Sequence, residues 1–146
     1  MATLILDHFI PYRLSVASNA VSTRISQTYR KRFGLKIAEW RLIAILAEAD
    51  RMTPQALGQT TRMDKISVSR AASALIERRL VQTRENPEDG RSHFLSLTAD
   101  GQSLYAEIAP AALAMEADLL GDFTTKETAL LETLLRRIEK AASDFP

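Results

Sequence analysis

The sequence predicts a mainly α-helical chain with one small β-hairpin. Three observations predict it. Apolar residues recur at helical spacing through most of the chain. Only the stretch from Val81 to Leu97 changes to a period of two, around a dense cluster of turn formers. Helix-start residues stand where each new apolar stripe begins.

The first helix runs from about Asp7 to Phe33. Leu14, Ala17, Val21 and Ile25 repeat at helix spacing, and Gly34 suits a left-handed stop. A second helix, roughly Ala38 to Ala49, is apolar nearly all round (Trp40, Leu42, Ile43, Ile45, Leu46) and belongs in the interior. Thr53 is a good N-cap, and Pro54 loses no intrahelical bond at the first position, so a short third helix opens there and ends near Thr61. A turn from Thr61 to Asp64 follows, with Asp64 as N-cap of a fourth helix whose stripe is Val68, Ala71, Ala72 and Leu75. Two short helices across a tight turn make a helix-turn-helix.

Val81 to Arg84 reads as a strand, Asn86 to Gly90 as a turn, and His93 to Leu97 as the return strand. A hairpin placed after a helix-turn-helix is a wing. Helix resumes at Thr98 and continues to about Leu120, with a kink expected at Pro110, which has no N–H to give to Ala106. The last helix opens on a capping box, Thr124 to Glu127, and carries the stripe Leu130, Leu131, Leu134, Leu135, Ile138. The expected order is four helices, a hairpin and two helices.

At 146 residues, 46% hydrophobic and 25% charged, the chain can bury a core. It has no cysteine, which excludes disulfides and thiol chemistry and suits a reducing cytoplasm. With two histidines, no metal site is expected, and no cofactor. The opening residues lack a basic stretch and a long apolar stretch, so no signal peptide is expected, and no membrane association. The net charge is only +1, but it is unevenly spread. Residues 1–97 hold 15 Lys/Arg against 9 Asp/Glu; residues 98–146 hold 4 against 9. The first two-thirds can meet a polyanion and the last third cannot.

The fourth helix is built like a DNA-reading helix. With Val68 at the centre of its buried face, Ile66, Ser69, Arg70, Ser73 and Glu77 point outward, and Lys65 and Ser67 flank the first turn. Arg70 can bond guanine through two nitrogens, serines reach phosphates or base edges, and Ile66 suits a thymine methyl. An ordinary solvated face is the alternative. At the hairpin tip, Asp89 stands two residues before Arg91, where it can pair with Arg91 or another basic neighbour and hold the loop. Arg91 is long enough to enter a narrow minor groove. A surface ion pair without function is the alternative there.

The stretch from Trp40 to Gly101 resembles the core of the MarR family of winged-helix regulators. The resemblance is carried by WRLIAILAEADRMTPQALGQ, by DKISVSRAASALIERRLVQTRENPEDGR and by FLSLTADG. Its most specific part is Asp89 and Arg91 followed by Leu97, Thr98 and Gly101. One departure is Arg79, where the family usually has glycine before the Leu-Val pair that starts the wing. Either the helix end is shaped differently here, or Arg79 serves a phosphate.

The resemblance implies a winged helix-turn-helix at residues 34–97. It implies dimerisation helices at 1–33 and 98–146 and a homodimer on a pseudo-palindromic duplex. The DNA-contacting set is then Thr53, Gln55, Lys65, Ile66, Ser67, Ser69, Arg70, Ser73, Arg79, Asp89 and Arg91. It further implies a repressor released by a small aromatic acid or its coenzyme A thioester. Arg13 and Arg24 are eleven residues apart, ~1100° or about 20° past three turns, so they share a face, with Ala17 and Ala20 between them. Trp40 opens the next helix. These five could hold an anionic aromatic effector through an arginine fork, or the arginines could pair with acids or face water. His8 and Tyr12 are weaker members of such a site, and His93 is expected to be structural. A protein-docking winged helix without DNA contacts is the alternative function. An enzyme is not expected, for want of a phosphate loop, a ligand cluster or a nucleophile set.

Overall fold

A computed structural model describes residues 1–145. The chain divides into two compact units, residues 1–108 and residues 109–146.

In the first unit, a 3-10 turn at Leu6–His8 precedes α1 (Ile10–Phe33). The sequence places this helix start near Asp7. Pro11 explains the difference: it has no N–H for the Asp7 carbonyl, and it costs nothing in the first turn of a helix that begins at Ile10. α1 stops as expected at Gly34, which is left-handed at φ 63°. α2 (Ile37–Ala49) follows, opened by the Glu39 carboxylate, which accepts from the Lys36 N–H at 3.0 Å. Leu42, Ile43 and Leu46 are buried, whereas Trp40 and Ile45 are half-buried and Arg41 is exposed. α2 is thus less enclosed than its composition suggests.

α3 (Pro54–Thr61) and α4 (Lys65–Glu77) pack on each other and on α2. The expected stripe of α4 is buried in full: Val68, Ala71, Ala72 and Leu75. The hairpin is β2 (Val81–Glu85) and β3 (His93–Leu97), in the register Val81↔Leu97 to Glu85↔His93. A further strand, β1 (Arg51–Met52), completes a sheet of order β1-β3-β2, with Arg51 opposite Ser96 and Met52 opposite Leu95. Two residues carry no alternation, so periodicity could not announce it. α5 (Ala99–Leu119) continues as one helix across Pro110.

In the second unit, α6 (Thr125–Ser143) opens with the expected capping box, Thr124 Oγ1 accepting from the Glu127 N–H at 3.1 Å. Its stripe Leu130, Leu131, Leu134, Leu135 and Ile138 stays 37–57% exposed. Among the described residues no helix is long and apolar enough to cross a membrane, and no group of three or more His, Cys, Asp or Glu is placed to hold a metal.

Candidate nucleic-acid interface

The N-terminus of α4 is held by Asp64. One carboxylate oxygen accepts from the Ser67 N–H and the other from the Ser67 hydroxyl, both at 2.8 Å. The backbone bond, then the hydroxyl, hold the Asp64 carboxyl below its ordinary range. Ser67 is therefore occupied by the cap. Around it Lys65, Ser69, Arg70 and Ser73 are exposed, and Ile66 is 64% exposed, an apolar side chain left facing outward. Thr53 caps α3, its hydroxyl accepting from the Ala56 N–H at 3.1 Å, while Gln55 beside it is exposed.

At the wing tip, Asn86 Oδ1 accepts from the Glu88 N–H and Asp89 Oδ1 from the Arg91 N–H, each at 3.0 Å. Asp89 does shape the loop, but not by the expected pairing with a basic side chain. A carboxylate two residues before an N–H closes an Asx-turn more readily than it reaches a flexible guanidinium. The Arg91 side chain is thereby left exposed at the tip.

Arg79 answers the question raised by its departure from glycine. Its φ is 59°, so the helix end keeps the left-handed shape without the glycine. A side chain there costs about 1 kcal/mol. The conformation is held from outside: the Thr98 hydroxyl donates to the Arg79 carbonyl at 2.7 Å, and the Thr98 N–H donates to the Leu80 carbonyl at 3.0 Å.

A groove of about 940 Å³ runs between α3, α4 and the sheet. Gln55 and Gln59 line one wall, Lys65, Ser69 and Ser73 another, and Thr83 and His93 the wing side, over a floor of Val68, Ala72 and Leu95. The fold thus brings Gln55, Lys65, Ser69 and Ser73 together. Arg70 and Ile66 lie on the outer face of α4, and Arg91 at the tip of the wing. Gln59, Thr83 and His93 were not part of the expected set. Alternation along β3 puts His93 on the face of Leu95, but only the strand register shows that this face looks onto α4.

The candidate effector residues are more scattered. Arg13 pairs with Asp7 at 3.1 Å, and Ala17, Ala20 and Arg24 are exposed. Trp40 stacks on Tyr105 (6.3 Å, 14°) and leans on Tyr29 (5.1 Å). Tyr29 lies about 24 Å along α1 from Arg13 at 1.5 Å per residue. Arg13 and Trp40 therefore do not meet within one chain. Tyr29 and Tyr105, absent from the expected set, are the residues that do meet Trp40, and burial pushes the Tyr29 hydroxyl pKa up.

Residues 33–92, from the end of α1 to the wing, match the model of the MarR family. Over 120 residues the chain is 25% identical to YxaD, an uncharacterized HTH-type transcriptional regulator of Bacillus subtilis, with 82% of this chain and 84% of that protein covered. A MarR/EmrR family transcriptional regulator from Acinetobacter sp. ADP1 superposes with a TM-score of 0.89 at 27% identity, covering 97% of this chain and 100% of that one. The fold is also that of Bordetella bronchiseptica BpsR, whose DNA binding is regulated by 6-hydroxynicotinic acid (TM-score 0.88, 21% identity, 99% and 100% covered). With the capped α4, the wing and the Thr98–Gly101 motif all in place, residues 33–92 are similar to the MarR family model, and the fold of the chain is that of MarR-type winged-helix regulators.

Proposed function

We propose that this protein is a homodimeric, operator-binding repressor released by a small aromatic acid or by its coenzyme A thioester. The observation that carries the DNA-binding part is the placement of the exposed Lys65, Ser69 and Ser73 of α4 and of Thr83 and His93 of the wing strands around one groove. A reading helix offers side chains to base edges in a major groove, and a basic wing tip reaches an adjacent minor groove. Arg70 and Arg91 are the leading contacts; Lys65, Ser69, Ser73 and Gln55 support them. Dimerisation is assigned to α1, α5 and α6, and the action to the cytoplasm. The test is selection of duplexes from a random library, then titration of the selected duplex at rising salt. A steep loss of affinity with salt is expected. Recovery of no duplex would end this reading. It would favour instead a protein-docking module, for which the exposed Ile66 is the supporting observation.

The effector part rests on the arginines of α1 and on the aromatic cluster. Arg13 and Asp7 form an exposed pair, worth ~0–1 kcal/mol, so an incoming carboxylate can take the Arg13 fork at little cost. In this reading Arg24 serves the Tyr29–Trp40–Tyr105 cluster of its own chain, while Arg13 comes from the second copy, and Ala17 and Ala20 leave room. That BpsR responds to an aromatic acid supports the class of ligand. Benzoate, a hydroxycinnamate and their coenzyme A thioesters should each be tried in thermal melts, since a ligand of the native state must raise the midpoint. Arg13→Ala should keep operator affinity and lose release; loss of both together would make Arg13 structural.

A further inference from the structure

We propose that Arg78 is a positioning residue that sets the pose of the reading helix against α1, and with it the half-site spacing that the dimer accepts. The inference rests on reading the chain as a dimeric operator binder.

Arg78 Nη1 donates to the Gly34 carbonyl at 3.1 Å and Nη2 to the Phe33 carbonyl at 3.3 Å. α1 closes with the Gly34 N–H on the Arg30 carbonyl and the Leu35 N–H on the Tyr29 carbonyl. Beyond these two, the carbonyls at the end of the helix have no intrahelical donor. The Arg78 fork reaches the two at the very end. Arg78 is also the C-cap of its own helix, α4. Arg78 thus ties the C-terminus of α4 to that of α1, and the dipole of α1 favours a cation at the carbonyls the fork reaches.

The mechanical consequence follows from what else holds α4. Its buried stripe is Val68, Ala71, Ala72 and Leu75, apolar contacts in which two members are alanines. Such contacts resist separation more than they resist a small roll or slide. A planar fork on two carbonyls is directional and fixes both. The pin is at the C-terminal end of α4, and Lys65 at the other end lies about 20 Å away at 1.5 Å per residue. A small error in angle at Arg78 becomes a larger displacement at the residues that face DNA. In a dimer whose copies meet through α1, that displacement changes the separation of the two reading helices, and half-site spacing follows from that separation.

The experiment uses the full-length protein and the duplex that the wild type selects from a random library. Arg78→Gln and Arg78→Lys are measured on that duplex and on versions lengthened or shortened by about one base pair at the centre, each at several salt concentrations. Both variants should lose about tenfold or more on the selected spacing, the yield of losing charge-assisted bonds. Both should show a flattened preference among spacings and an unchanged salt slope. Lysine keeps the charge but not the fork, so it should not rescue. If Arg78→Lys binds like wild type while Arg78→Gln loses equally on every spacing, with a slope lower by about one, Arg78 is a phosphate contact and the proposal is overturned. Wild-type behaviour in both variants also overturns it. Should Arg78→Gln fail to fold, Arg78→Lys decides alone. If the wild type selects no duplex, the operator reading itself has failed, a result separate from either of these.

Discussion

The Thr98 hydroxyl donates to the Arg79 carbonyl at 2.7 Å while it accepts from the Gly101 N–H at 3.0 Å. One side chain thereby joins the end of α4 to the start of α5, with the whole wing between them. Gly101 belongs to the same lock, because a Cβ there would run into the Leu80 carbonyl oxygen. Gly101→Ala should destabilise by about 1–3 kcal/mol, since backbone must move to admit it. Thr98→Val, which leaves donors and acceptors unmet, should cost about 1–3 kcal/mol, and Thr98→Ser much less. Urea midpoints at unchanged m-value measure this. A Gly101→Ala protein as stable as wild type would remove the lock.

Arg79 is held at φ 59° by that lock rather than by its own preference. Arg79→Gly should therefore raise stability by up to about 1 kcal/mol, reduced by the extra freedom of glycine in the unfolded chain. Arg79→Ala should not raise it. If the guanidinium serves a phosphate, both variants should lose the same operator affinity. Equal melting temperatures for both would show that the left-handed turn carries no strain.

Local signals announced most of the fold. Thr53, Asp64 and Thr124 each accept the N–H three residues on, as their positions before an apolar stripe predict. The stripe of α4 and the two hairpin strands were equally plain. Features that depend on residues far apart in sequence were not. β1 exists because Arg51 and Met52 meet β3, and the groove wall at His93 because the sheet faces α4. The Arg78 link spans 44 residues, and nothing near Arg78 in the chain points to α1. Helical phase alone put Arg13 and Arg24 on one face of α1, but phase could not say that Trp40 packs on Tyr29, far from Arg13.

Asp64 should make the helix-turn-helix sensitive to acid. Its folded carboxyl is held below the ordinary value by the Ser67 N–H and then by the Ser67 hydroxyl. A depressed carboxyl contributes stability that is present above its unfolded pKa and is lost as pH falls through the folded one. Wild type should therefore melt higher than Asp64→Ala at neutral pH, and the gap should close below the usual carboxylate range. Melts from pH 7 down to about pH 3 test this. A gap that does not change with pH would mean that the charge is irrelevant to the cap.

The α6 stripe predicts assembly. Leu130, Leu131, Leu134, Leu135 and Ile138 are all exposed in the single chain. Each fully buried side chain of this kind is worth ~1.5–3 kcal/mol, so a second copy is the expected cover. Sedimentation at micromolar concentration should show a dimer, and Leu131→Asp with Leu134→Asp should shift it to monomer. A wild-type monomer would overturn the assignment.

Arg70 and Arg91 should fail in different ways on DNA, because one lies on the outer face of α4 and the other at the wing tip. Arg70→Ala should cost about 1–3 kcal/mol and relax preference at one position of each half-site, as expected for a lost base contact. Arg91→Ala should weaken binding, flatten any preference for A·T-rich flanks and lower the salt slope by about one per bound arginine. Asp89 adds a control that the loop geometry dictates. Its carboxylate takes the Arg91 N–H, a bond that an asparagine oxygen can also accept. Asp89→Asn should therefore bind like wild type, whereas Asp89→Ala should copy part of the Arg91→Ala loss by loosening the tip. An ion pair would instead make Asp89→Asn as defective as Asp89→Ala. All four variants are to be titrated against a panel of operator mutants at several salt concentrations. If Arg91→Ala binds every duplex as tightly as wild type, the wing is not a DNA-binding element, and recognition must rest on α4 alone.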